Sequence, residues 1–403
     1  MSSQTVRRRP PGRFSVFVAG GAVAVLAATA TVARAADAPI RIGVIASYSG
    51  AYADYGRQFD AGMALWLSEN GGRLAGRPVE IVRRDAPGAQ PELAKRLAQE
   101  LVVKDKVNVL AGLDFSPNAF AVGAVAREAR IPAIVMNAAS SGITTQSPFV
   151  ARVSFTVRQV SNPMGRWAAR NGITRAHTVV ADYGPGHDAE SAFEKAFTAA
   201  GGSVVGRLRV PLANPDFSAY VQRIKDQAPQ AVFFFFPSGG MPRAFLKAAK
   251  DRGLEEAGIR LIATGEATDD SYLEATGDLA LGLITSHHYS FAHDSAKNRA
   301  FVDGIARIAG TTMRPSYFAV AAYDGMQALA LALAKTGGNL DGEAVMTALA
   351  GLSFESPRGP ITIDAATRDI VQTVYIRRTE RVNGALVNVE FDRFEAVTDP
   401  PTP

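Results

Sequence analysis

Three short loops hold many of the residues able to grip a small polar molecule. The first, Ser47-Tyr48-Ser49-Gly50-Ala51-Tyr52-Ala53-Asp54-Tyr55-Gly56, sets three tyrosines in a glycine-bounded segment. Tyrosine offers an apolar face and a polar tip, which suits a ligand with both characters and equally suits packing within the loop. The second, Asp114-Phe115-Ser116-Pro117, reads as a helix N-cap at Ser116 with Pro117 at the first helical position. Free N–H groups and a hydroxyl at such a terminus form an anion site. The third, Asn137-Ala138-Ala139-Ser140-Ser141-Gly142, again supplies small residues, N–H groups and hydroxyls. Side by side, the last two loops can hold a carboxylate by charge-assisted hydrogen bonds without a basic side chain. Either loop alone is also what ordinary capping requires.

Two later loops face the same question. Tyr183-Gly184-Pro185-Gly186 follows one apolar run, and Gly265-Glu266-Ala267-Thr268-Asp269-Asp270 follows another. Glu266 sits where an ammonium or hydroxyl can be held, or is a solvated loop carboxylate. The stretch His287-His288…His293 lacks a nearby acidic cluster, so a surface or core role is expected and no metal. The phosphate-loop, nucleophile-elbow and zinc-helix patterns are absent, and no nucleophile stands beside an evident base. The expectation is a binding protein without cofactor, not an enzyme.

The elements that position these loops alternate. Ile40–Ala46, Val79–Arg83, Asn108–Leu113 and Ile131–Met136 read as strands, separated by helices over Gly56–Asn70, Pro91–Lys104 and Pro117–Ala129. A second series follows, with strands at Thr178–Ala181, Val204–Val210, Ala231–Phe236 and Arg260–Ala263. Helices are expected at Pro163–Asn171, Asp188–Ala200, Phe217–Gln227 and Pro242–Arg252. Alternation of this kind implies parallel sheets with helices on both faces, whose ligands bind at the carboxyl edge. Long helices at Ser295–Ala309 and Tyr317–Lys335 have no strands of their own, so they must cover a sheet made elsewhere. The class is therefore α/β, as two successive units of similar size, with the chain returning to the first near residue 290 and to the second near 357. The expected extents are 38–154 with 290–355 for one lobe and 155–289 with 356–395 for the other, then a disordered tail over 396–403. Linkers are expected at Arg152–Thr156, His288–Ser290 and Ser353–Pro357.

Composition narrows the setting. In 403 residues, 47% hydrophobic and 20% charged is ordinary for globular domains, and zero Cys excludes disulfides and thiol chemistry. The formal charge of +5 comes from five arginines in the first 35 residues; the remaining 368 carry 38 basic and 38 acidic residues, which gives no reason to expect nucleic acid. Those first residues are basic, then uncharged over 14–33, then Ala33-Arg34-Ala35. This is the layout of a secretory signal peptide over 1–35, with retention as a membrane anchor the alternative.

Taken in order, IRIGVIASYSG, VNVLAGLDFS, IPAIVMNAAS, VVADYGPG, LIATGEATDD, FAVAAYDGMQAL and SPRGPITID give the chain a resemblance over about residues 38–395. It resembles the type I periplasmic binding proteins of the leucine/isoleucine/valine-binding class, the capture subunits of ABC importers. The resemblance implies two Rossmann-like lobes joined by three crossovers, in a periplasmic monomer that closes the lobes on a ligand and delivers it to an inner-membrane permease. It implies a ligand carboxylate on Ser116, Ala138, Ala139 and Ser140, and an aromatic wall at Tyr55. It further implies a polar contact at Tyr183, an ammonium partner at Glu266 and a wall residue at Tyr323. Departures exist. Ser238-Gly239-Gly240 offers no polar aromatic where amino-acid binders have one, and TSHHYS and SPRGPITIDAATRDIVQTVYIRR look more like binders of aromatic carboxylates. Hydrophobic amino acids are the first ligand expectation, benzoate- or hydroxycinnamate-like acids the second, and a sensor without transport a further alternative.

Overall fold

The computed structural model describes residues 1–6, 38–213 and 215–400. From Arg7 on, the leader and its cleavage position lie outside the described residues, as does the end of the tail, 401–403.

Two sheets organise the chain from Ile40 onward. The first holds β1 (Ile40–Ala46), β2 (Arg73–Leu74), β3 (Arg77–Asp85), β4 (Val109–Gly112), β5 (Ala133–Val135) and β6 (Val150–Arg152). Their order is β2-β3-β1-β4-β5-β6, and every pair except β2–β3 is parallel. The chain leaves β1 for β3 on one side and reaches β4 on the other, so the loops after β1 and β4 part at a topological switch point.

The second sheet holds β7 (Arg175–Ala181), β8 (Ser203–Val210), β9 (Ala231–Phe235), β10 (Arg260–Thr264), β11 (Ile284–His287), β12 (Ser353–Ser356), β13 (Gly359–Ile363), β14 (Ile370–Val382) and β15 (Ala385–Val397). The order is β12-β13-β14-β11-β10-β9-β7-β8, with β15 on β14. From β11 to β8 the pairing is parallel, while β12 to β15 pair antiparallel. The phenylalanines of β9 point alternately to the two faces. Phe233 stacks on Phe193 at 4.2 Å, and Phe234 meets Phe245 at 4.8 Å.

The helix Tyr317–Lys335 is apolar and long enough to cross a membrane by composition, but most of it is buried in the core beside the first sheet. The helix Ala53–Glu69 crosses it so closely that a Cβ on Gly62 would lie 2.1 Å from the Ala319 carbonyl. That approach, open only to glycine, docks the late helices onto the first lobe. The chain thus passes between sheets after β6, after β11 and before β12.

Three local expectations change. The helix expected to start at Pro163 starts at Val157, capped by the Thr156 hydroxyl, with Pro163 inside it. Ser353–Ser356, read as linker, forms β12, because it pairs with β13. The tail expected to be disordered from 396 continues β15 to Val397. Beyond it, Asp399 accepts hydrogen bonds from the Ser141 and Thr156 hydroxyls at 2.9 and 2.6 Å.

Candidate ligand-binding site

Loops after β1, β4 and β5 of the first sheet and after β7, β9 and β10 of the second converge on one cavity. No lysine or arginine is among the described residues that line it.

On the first-lobe side, Ser116 and Ala139 line the cavity. Phe115 occupies the cap and Ser116 the first turn of the helix Ser116–Ala129, one position later than the sequence suggested. The Ser116 Oγ is therefore free of capping, and it accepts a 3.0 Å hydrogen bond from the Ser140 N–H, tying the two loops together. The Ser116 N–H begins a helix and has no intrahelical carbonyl to meet. Ala138 and Ser140 stand behind the wall rather than on it. The Ala138 N–H donates to the Leu113 carbonyl at 2.8 Å. The Ser140 side chain approaches the second lobe, where a Cβ on Gly184 would lie 3.0 Å from its Oγ.

Tyr55 is buried on the cavity, stacked on Phe318 at 4.0 Å. Its hydroxyl crosses to the second lobe and donates to the Ser238 carbonyl at 2.8 Å. The Ser238 Oγ is 2.7 Å from the Tyr317 hydroxyl. The loop that lacks an aromatic of its own is thus met by two tyrosines from the opposite lobe. Burial raises the Tyr55, Tyr183 and Tyr317 hydroxyls well above the usual tyrosine range, so all three are neutral hydrogen-bonding groups.

On the second-lobe side, Tyr183 and Glu266 line the cavity, with Phe235 packed beside Tyr183. Gly186 lets the helix Gly184–Ala199 start tight against β7, since a Cβ there would collide with the Ala181 carbonyl. Glu266 is 5% exposed, and its Oε2 has no hydrogen-bond partner among the described residues. Burial pushes its carboxyl up to about 7, with the Arg377 charge pulling the other way.

Tyr323 is not at the site. Its hydroxyl donates to Glu69 at 2.7 Å, and its ring packs on Phe301. Six helical residues separate it from Tyr317, a turn of about 240° round the axis, so only Tyr317 faces the cavity.

Other lining residues escaped the sequence reading as candidates. Asp114 is buried, its oxygens accepting from the Ser47 N–H at 2.8 Å and the Phe115 N–H at 3.1 Å. Desolvation still pushes it up to about 6. Asn137 presents an Oδ1 without a hydrogen-bond partner among the described residues. Phe155, on the first crossover, stacks on His288 at 4.8 Å and meets His287 at 5.0 Å. The two histidines are fully buried and held well below the usual range, hence neutral, by desolvation. They pack beside the Phe155 wall, and among the described residues no cluster fit for a metal ion occurs. Their doublet next to a strand end was the visible signal. Phe155 carried none, because a lone aromatic in a linker has no periodicity to read.

A family model described as "Periplasmic binding protein" matches residues 39–384. The chain is 44% identical over 381 residues to Leu/Ile/Val-binding protein homolog 6 of Brucella melitensis, covering 94% of this chain and 98% of that protein. It is 46% identical, with a TM-score of 0.86, to an ABC-transporter solute-binding protein of Rhodopseudomonas palustris BisB5 solved with 3,4-dihydroxybenzoic acid. That alignment covers 90% of this chain and 99% of the other. A counterpart from R. palustris HaA2, solved with p-hydroxybenzoic acid, is 41% identical at a TM-score of 0.88, covering 90% and 98%. With two α/β lobes around one cavity, this chain belongs to the periplasmic binding protein family, as a solute-binding protein of an ABC transporter.

Proposed function

We propose that the chain captures a small aromatic carboxylate bearing a ring hydroxyl and hands it to an inner-membrane permease. In this reading the leader directs it to the periplasm. The ligand carboxylate meets the Ser116 and Ala139 N–H groups, the ring lies among Tyr55, Phe115 and Phe155, and the hydroxyl reaches Glu266 and Tyr183. The observation that carries the reading is the wall itself: flat aromatic surface from both lobes, with the Glu266 carboxyl, raised by burial and with its Oε2 lacking a hydrogen-bond partner among the described residues, on the second-lobe side. A carboxyl near neutrality exchanges hydrogen bonds with a phenol more readily than it anchors a permanent cation. Two relatives above 40% identity, solved with hydroxybenzoates, support the same class.

A second reading has Glu266 neutralising the α-ammonium of a hydrophobic amino acid, as the names of the curated relatives suggest. Isothermal titration with 4-hydroxybenzoate, 3,4-dihydroxybenzoate, benzoate, leucine and phenylalanine separates the two. The expected order is hydroxybenzoates first, benzoate weaker and amino acids silent. Leucine binding more tightly than either hydroxybenzoate would overturn the proposal.

A further inference from the structure

The anion cradle contains no basic side chain, yet a guanidinium lies directly behind it. Arg152, the last residue of β6, is fully buried. Its Nη1 donates to the Ala138 carbonyl at 2.8 Å and to the Phe155 carbonyl at 3.1 Å. Its Nη2 donates to the Ser140 carbonyl at 2.8 Å. Its Nε sits 2.8 Å from Asp369 Oδ1 as an ion pair rather than an aligned hydrogen bond. The Ala139 carbonyl, between the two it holds, accepts from the Val157 N–H at 2.9 Å. Three successive carbonyls of the loop are therefore turned away from the cavity.

A trans peptide is rigid and planar, so a carbonyl turned one way sends the N–H of the same peptide the other way. Holding the Ala138 carbonyl aims the Ala139 N–H at the cavity that Ala139 lines. That N–H meets no backbone acceptor among the described residues. Holding the Ser140 carbonyl aims the Ser141 N–H outward, where it donates to Asp188 Oδ2 on the second-lobe helix Gly184–Ala199 at 3.1 Å. One side chain thus orients both a donor that faces the ligand space and a donor that reaches across the lobes.

We infer that Arg152 is the positioning residue of the anion site: it fixes the Ala138–Ser140 peptides so that Ala139 presents its N–H to a ligand carboxylate and Ser141 presents its own to Asp188. It lies outside the cavity lining and is closed to solvent. Lysine keeps the charge but lacks the planar fork that serves both carbonyls together. This rests on the carboxylate reading above for the ligand, but not for the geometry of the loop.

The test pairs two measurements on the full protein. Hydrogen–deuterium exchange is followed by mass spectrometry without ligand, and the affinity for 4-hydroxybenzoate is titrated. The variants are Arg152→Lys, Arg152→Met and the double variant Arg152→Met with Asp369→Leu. The double variant leaves no buried charge unpaired, so it keeps a folded protein in the comparison. In the variants, peptides spanning 137–142 are expected to exchange about tenfold faster or more, while peptides of β7 and β9 keep the wild-type rate. Affinity for 4-hydroxybenzoate falls about tenfold or more, the loss expected of one charge-assisted hydrogen bond. Lysine recovers only part of either loss. Unchanged exchange over 137–142 in the folded double variant overturns the inference, as does faster exchange spread evenly over the whole protein. Should wild type not bind 4-hydroxybenzoate while exchange over 137–142 still rises selectively, the ligand reading falls and the positioning role stands.

Discussion

Glu266→Gln isolates one buried proton. In the folded chain the carboxyl is displaced from an ordinary value near 4.5 to about 7, first because burial removes it from water. The polar groups around it favour the ionised form. Arg377 on β14 favours the ionised form, His287 Nε2 on β11 stands 3.9 Å from Oε2, and the Tyr183 ring shares the cavity wall. A folded-state value above the unfolded one means that stability is fully present below pH 4.5. It is lost as pH rises through 7. At pH 8 that displacement corresponds to about 3 kcal/mol of destabilisation, which glutamine does not share because it mimics the protonated acid. Urea unfolding of ligand-free wild type and variant at pH 5 and pH 8 reads the difference directly. The variant is expected to lie within about 1 kcal/mol of wild type at pH 5 and to exceed it by up to about 3 kcal/mol at pH 8. An equal difference at both pH values would refute the reasoning, since it would mean that the carboxyl does not change charge across the window. The same variant keeps a hydrogen-bonding group towards a phenol, so affinity for 4-hydroxybenzoate should stay within about tenfold of wild type.

Two further outcomes follow from interlobe contacts. Tyr55→Phe removes the bond to the Ser238 carbonyl and should cost about 1 kcal/mol of affinity, roughly fivefold, appearing as faster dissociation in stopped-flow fluorescence; an unchanged dissociation rate would exclude the contact from closure. Arg358 is paired with Asp324 at 3.0 Å, both 1% exposed, and also donates to the Ser154 carbonyl at 3.1 Å on the first crossover. Arg358→Met strands Asp324 in the interior and should lower unfolding stability by ~3–5 kcal/mol in urea, with a loss below about 1 kcal/mol counting against a buried ionised pair.

Much of this protein was legible as a string. Apolar runs of strand length alternating with helical stripes determine an α/β fold, because each period leaves one way to bury its apolar residues. The loops at the carboxyl edges of β1, β4 and β5 were also readable, since small and hydroxyl residues between a strand and a helix have few other uses. Four of the eight candidate residues, Tyr55, Ser116, Ala139 and Tyr183, line the cavity as lone positions in such loops, and Glu266 joins them. Ala138 and Ser140 flank the lining position, because only the folded loop decides which N–H is left for the cavity: the Ala138 N–H is taken by the Leu113 carbonyl and the Ser140 N–H by the Ser116 hydroxyl. Tyr323 was misplaced because a helix can bury tyrosines on different sides, and the packing of Tyr317–Lys335 on the first lobe selects one. Tertiary structure alone decided the rest. Arg152 reaches its loop across adjacent strands, Phe155 waits on a crossover, and Ser238 meets two tyrosines far away in the chain. Such contacts depend on how two lobes close on each other, a long-range geometry for which local spacing carries no signal.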